Sequence, residues 1–158
     1  MDLTLKVDIN ITRDMSKSVP FETTIEVRDT CLCLHVQRAA RALGRRFDAA
    51  LKPAGLTNGQ FSLLMSLNRP APPPMAPVAQ LLAMDRTTLT AAMKPLERRG
   101  LVEVHVDKAD RRSRLLVLTN AGREALASGL PIWRATHRDV EAELHDPDTL
   151  RRELIALA

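Results

Sequence analysis

A chain of 158 residues with 45% hydrophobic and 27% charged residues has the size and balance of one soluble globular domain, with room for one core but not two. No uninterrupted apolar run approaches the ~18 residues of a membrane helix, and the acidic, charged start lacks a signal-peptide pattern, so a cytoplasmic protein without membrane contact is expected. One Trp, three Phe and no Tyr leave the chain without the aromatic platforms on which single-strand and RNA binders stack bases. Among nucleic acids, that favours duplex DNA.

Residues 1–28 form an N-terminal extension in which Leu3, Leu5, Val7, Ile9 and Ile11 alternate with polar neighbours. That period of two reads as a short strand or as an arm packed on a partner subunit. From Thr30 to Ala54, Leu32, Val36, Ala39, Leu43, Phe47 and Leu51 recur in steps of three and four, predicting one long amphipathic helix that ends near Pro53 and Gly55. It makes up most of a first segment, 29–56. Thr57 and Gln60 have capping-box spacing, and Phe61, Leu64 and Met65 are expected to face inward behind them. Arg69-Pro-Ala-Pro-Pro-Pro is a stiff connector that forbids helix. A rigid turn between helices outweighs a recruitment site for a proline-reading partner. A short helix over Pro77 to Met84 then presents Val78, Leu81 and Leu82.

The next stretch is the most informative. Asp85 is the expected N-cap of a helix in which Leu89, Met93 and Leu96 make one buried stripe, while Arg86, Thr87, Thr90 and Lys94 make the opposite one. Gly100 supplies the stop. Val102, Val104 and Val106 alternate with Glu103, His105 and Asp107 as a half-buried strand; a polar tip from Asp107 to Arg114 and a second apolar run, Leu115 to Leu118, complete a hairpin. Helix, strand, basic tip and strand make a winged helix, so the fold expected is mainly α with a small β-hairpin wing, its DNA-binding lobe spanning 57–119. Residues 86–114 hold eight cations against four anions, a surplus of four that equals the formal charge of the whole chain, +4. Two readings of that surplus are open, a solvated basic face and a surface selected for a duplex phosphate backbone.

Beyond it, Thr119 or Asn120 caps a last major segment, 120–158. There Leu126, Leu130, Trp133, His137, Val140 and Leu144 form a heptad-like seam, with Pro131 expected to kink the helix. Asp146 and Pro147 begin a terminal helix with Leu150, Leu154, Ile155 and Leu157 on one side. A seam of this kind exceeds what a monomer of this size needs to bury, so helix pairing in a homodimer is expected.

DRTTLTAAMKPLERRGLVEV followed by DKADRRSRLLVLTNAG resembles the MarR family of winged-helix transcriptional regulators, and the resemblance runs from about Cys31 to the C-terminus. It implies a dimer joined through the first and the last two helices. Two recognition helices would lie in successive major grooves of an inverted-repeat operator, about 34 Å apart. Arg86 and Thr87 would reach base edges, Thr88 and Thr90 bases or phosphates, and Lys94 a phosphate. Arg112, beside Arg111, would enter the minor groove, oriented by Asp110. It further implies a repressor released by a small-molecule effector, an anionic aromatic in class, bound near the face shared by Cys31, His35 and Arg38.

Motifs for catalysis are missing: no glycine-rich phosphate loop, no G-x-S-x-G elbow and no H-E-x-x-H pair, so neither an enzyme nor a cofactor is expected. Cys31, Cys33 and His35 do not make a metal site, because residues two apart on a helix point about 200° apart. Buried cysteines acting as small hydrophobes are the simpler reading. Two alternatives stand beside the effector-released regulator. One is a thiol-based redox sensor. The other is a winged-helix protein-interaction module that does not bind DNA.

Overall fold

In a computed structural model of the protein, residues 18–157 are described; the alternation over residues 3–11 lies outside them. The elements run α1 (Phe21–Thr30), α2 (Leu32–Leu51), α3 (Asn58–Leu67), α4 (Met75–Leu81), α5 (Arg86–Arg98), β1 (Val102–Val106), β2 (Arg114–Leu118), α6 (Asn120–Glu141) and α7 (Pro147–Ala156). The described residues divide into two compact units, one up to Ala40 and one from Arg41. Among the described residues no helix is long and apolar enough to cross a membrane.

In the first unit the helix expected from Thr30 begins at Leu32, and a separate helix that the sequence did not suggest, α1, precedes it. Residues 21–30 are helical, and Cys31 leaves the helix with ψ at 104° before α2 begins at Leu32. The α1 sequence hid this because Thr23, Thr24, Ile25 and Val27 are β-branched and no apolar stripe forms, and none of its residues is buried. Cys31 then opens α2: its carbonyl accepts from the His35 N–H and its Sγ from the Leu34 N–H at 3.4 Å. Leu32 and Val36, expected on a buried stripe, are exposed in the single chain.

In the second unit α2 ends as expected. A tight turn over Lys52–Ala54 closes at Gly55 with φ +67°. The Thr57 side chain accepts from the Gln60 N–H, the Gln60 side chain accepts from the Thr57 N–H, and the capping box is complete. Phe61 and Leu64 are buried, but Met65 is not, and Leu63 takes its place because α3 is contacted on more than one side. The core joins Leu51, Leu56, Phe61, Leu64, Val78, Leu89, Leu96, Leu116 and Leu126, so every element of the lobe contributes to it. Helix α4 starts two residues earlier than expected, at Met75, and buries Val78 while Leu81 stays 60% exposed.

The half-buried strand also needs correcting. Val102 is buried, but Val104 and Val106 are exposed, because the hairpin projects past the helices that could cover it. Its register pairs Val102 with Leu118 and Val106 with Arg114. The proline run does more than connect helices. The Pro73 carbonyl accepts from the Leu116 N–H at 2.9 Å, and Pro74 bridges Leu115, so the run lies along the outer edge of β2.

Helix α6 is capped by Thr119 and runs unbroken through Pro131. Much of the seam is used inside this chain. Trp133 stacks on Phe61 with ring centroids 6.1 Å apart, and His137 lies 4.7 Å from Trp133 and edge-on to Phe47. His137 Nδ1 is also 3.4 Å from Glu141, whose carboxyl is held below the usual range chiefly by Arg151, which also pairs with Asp148. Asp146 caps α7, as expected, by accepting from the Thr149 N–H. Leu144, Leu150, Leu154, Ile155 and Leu157 are exposed.

Candidate nucleic-acid interface

Asp85 sets the start of α5. Its Oδ1 accepts from the Thr88 N–H at 2.8 Å and its Oδ2 from the Thr88 hydroxyl at 2.6 Å, and these hydrogen bonds hold its carboxyl below the ordinary range. The cap matters because a four-residue turn, with Ala83 in the left-handed region at φ +49°, must hand the chain from α4 to α5 at a fixed angle. With Leu89, Met93 and Leu96 buried, the opposite stripe of Arg86, Thr87, Thr90 and Lys94 is exposed, as the sequence predicts. Gly100, at φ +66°, ends the helical segment and turns the chain toward β1.

The hydroxyls are not equivalent. Thr88 donates to Asp85, and Thr90 donates to the Arg86 carbonyl at 2.7 Å. Both oxygens keep lone pairs, so they can still accept, for instance from a base amino group. Among the described residues Thr87 has no side-chain hydrogen-bond partner, and it can donate as well.

The wing tip is tied by its own backbone. Asp110 Oδ1 accepts from the Arg112 N–H at 2.9 Å and the Asp110 carbonyl from the Ser113 N–H, while the Asp107 N–H donates to the Ser113 carbonyl. Asp110 therefore shapes the turn that carries Arg112 by holding its main chain. Lys108, Arg111 and Arg112 are exposed, and His105, on the outward face, lies 2.8 Å from Glu103.

Between the start of α5 and the wing lies a cleft of about 420 Å³, lined by Met75, Ala79, Arg86, Asp110, Arg112 and Arg114 among others. Helix and wing are thus brought to one opening with three guanidinium groups and a single carboxylate. Arg86 and Arg112 form no ion pair among the described residues. Sequence reasoning did not single out Arg114; only the fold turns it into the cleft.

A second cleft of similar volume is apolar, lined by Phe61, Ser62, Met65, Leu81, Leu82 and Trp133 among others. The sequence does not reveal it, because Met65 and Leu81 have the helical spacing of core residues. In the first unit, the His35 ring lies 3.1 Å from the Asp29 carbonyl and both cysteines are free.

Comparison with known proteins places this architecture. The family model described as MarR family matches residues 56–113, from the start of α3 to the wing tip. The crystal structure of the Mycobacterium tuberculosis transcriptional regulator MosR in complex with DNA superposes with a TM-score of 0.75 at 38% identity, covering 80% of this chain and 92% of that one. The chain belongs to the MarR family. Among other MarR-like relatives, the repressor CouR of Rhodococcus jostii, bound to a 23-mer DNA duplex, superposes with a TM-score of 0.68 at 28% identity over 89% of this chain and 96% of that one. The transcriptional activatory protein BadR of Rhodopseudomonas palustris is 34% identical over 69% of this chain and 65% of its own length. This MarR-family chain spans about half to two thirds of the length of the curated relatives it matches.

Proposed function

We propose that this chain is a homodimeric, sequence-specific regulator of transcription that binds duplex DNA and releases it in response to a small molecule. The observation that carries the reading is the cleft at which Arg86 of α5 and Arg112 of the wing meet, both exposed and neither neutralised by a carboxylate. A helix in the major groove and a tip in the adjacent minor groove need cations at those two places. Dimerisation is supported by exposed leucines and isoleucine on the terminal helix, Leu150, Leu154, Ile155 and Leu157. A surface of that kind marks a protein interface. With repressors and an activator among its relatives, we place it with the repressors, where occupancy blocks transcription and the effector relieves it.

The test is binding to duplexes selected from genomic fragments, followed by fluorescence anisotropy across a salt series. Wild type should lose affinity linearly in log salt. Arg112→Ala should weaken every duplex and flatten the slope by about one, and Arg86→Ala should cost about 1–3 kcal/mol on the selected sequence alone. Wild type that ignores duplexes at every salt concentration returns the chain to the protein-interaction reading.

For the effector, an anionic aromatic class, two sites compete. The face of Cys31, His35 and Arg38 offers charge, and the apolar cleft offers a volume of about 420 Å³, within the range of ligand pockets. We place the aromatic body in the cleft. Trp133 is the only tryptophan and lines it, so its fluorescence reports occupancy directly. Quenching by an aromatic carboxylate should survive His35→Ala and Arg38→Ala and disappear in Ser62→Phe; the reverse pattern moves the site to the charged face.

Thiol regulation is favoured as a second reading by Cys31 itself. It sits in the non-helical joint two residues before Cys33, so a continuous helix does not hold the two thiols apart. A hydroperoxide would take both thiol hydrogens, giving a disulfide, an alcohol and water. A mass loss of about 2 Da with altered DNA affinity, both absent in Cys33→Ser, is the expected signature. Unchanged mass after peroxide removes this reading.

A further inference from the structure

The wing has a tie that the sequence does not announce. Arg114 opens β2 opposite Val106, and its side chain turns back over the tip instead of out into solvent. Its Nη1 donates to the Arg111 carbonyl at 3.0 Å and to the Ser113 carbonyl at 3.1 Å. Those two carbonyls flank Arg112 on either side. The Ser113 carbonyl is also the acceptor for the Asp107 N–H, which closes the neck of the hairpin. One guanidinium therefore ties two carbonyls of the turn, while the Asp110 carboxylate holds the Arg112 N–H.

The tip has no buried side chain to stiffen it, and Lys108, Arg111 and Arg112 would repel one another in any arrangement. What keeps the tip in one shape is this small set of polar ties. A rigid tip matters, because an arginine that must enter a narrow groove loses affinity for every alternative conformation its backbone can take.

We propose that Arg114 is a positioning residue: by gripping the Arg111 and Ser113 carbonyls, it fixes the turn that presents Arg112 at the cleft it shares with Arg86. The proposal rests on the DNA-binding reading. It assigns Arg114 an action through Arg112, which distinguishes it from one more phosphate contact among many.

A double-mutant cycle separates those roles. The full chain, Arg112→Ala, Arg114→Ala and the double variant are titrated against one selected duplex in anisotropy, with a melting curve for each. Arg114→Ala should bind about five- to tenfold more weakly than wild type, yet have no further effect when Arg112 is already alanine. All four melting curves should coincide, since the tip lies outside the core. Losses that add in the double variant would make Arg114 an independent contact and overturn the proposal. So would wild-type affinity in Arg114→Ala, or a melting temperature lowered enough to unfold the chain under assay conditions. If wild type binds no duplex, the DNA-binding reading itself has failed. If wild type binds and Arg112→Ala weakens it, only the role of Arg114 is at stake.

Discussion

Gly122→Ala should be among the most damaging single substitutions in this chain, although it adds only one methyl group. Gly122 lies in the first turn of α6, where the helix start is pressed on the end of the α5–β1 turn. A Cβ there would stand 2.1 Å from the Leu101 carbonyl oxygen and 2.7 Å from a Leu118 methyl group. The oxygen belongs to backbone that cannot rotate away, since the same carbonyl accepts from the Thr119 N–H. Relief would require α6 to withdraw, and that would break the Thr119 hydroxyl bond to the Gly100 carbonyl at 2.7 Å and the Gly122 N–H bond to the Thr119 hydroxyl at 3.0 Å. Overpacking against backbone with loss of such ties costs about 3 kcal/mol, a large share of the roughly 5–15 kcal/mol that hold a domain folded. The melting temperature should fall by about 6–12 °C. Gly44→Ala is the internal control: nothing lies within 4 Å of its added Cβ, and α2 should gain about 0.5–1 kcal/mol. Should both variants melt with the parent, the close approach of α6 to Leu101 is wrong.

Leu89→Ala should be the second large loss, and its neighbours on the same helix sharpen it. Leu89 is fully buried on the inner stripe of α5, in the cluster that also holds Leu64, Val78, Leu96 and Leu116. Truncation removes its transfer free energy and leaves a cavity under α5, together about 2–5 kcal/mol. Thr87→Ala and Lys94→Ala, on the exposed stripe, should change stability by no more than about 0.5 kcal/mol while weakening DNA binding. Urea titration of the three variants, paired with anisotropy at one salt concentration, gives the two properties separately. A destabilised Lys94→Ala beside an unaffected Leu89→Ala would mean that the helix is rolled half a turn from its described orientation.

Much of this is legible in the sequence alone, for identifiable reasons. Asp85, Thr57, Gly55 and Gly100 each signal a helix boundary through local chemistry, and each acts where the sequence placed it. The buried stripe of α5 followed from a strict 3.6 period. The misses came where burial depends on a neighbour distant in sequence. Val104 and Val106 have strand spacing, but no helix lies over the outer hairpin, and periodicity carries no information about that. Met65 and Leu81 have core composition but line an open cleft. Helix α1 and the joint at Cys31 were not legible because the β-branched residues of 21–30 form no apolar stripe, so no periodicity reaches the joint from that side. At the interface, the cationic side chains were visible individually. That Arg114 turns inward to the wing tip while Arg86 and Arg112 stay unpaired was not, because three arginines of like composition differ only in what lies beside them.

The proline run along β2 has a consequence for how this protein behaves at high concentration. A hairpin that projects bare from a helical lobe is a template for strands from other molecules, which can lengthen a sheet indefinitely. Here one flank is closed by residues 72–74, three consecutive prolines without an N–H to offer, so a recruited strand would meet no donors along that stretch. Such a margin resists fibre growth from that side without charge or bulk, and leaves the wing free to be apolar at its root.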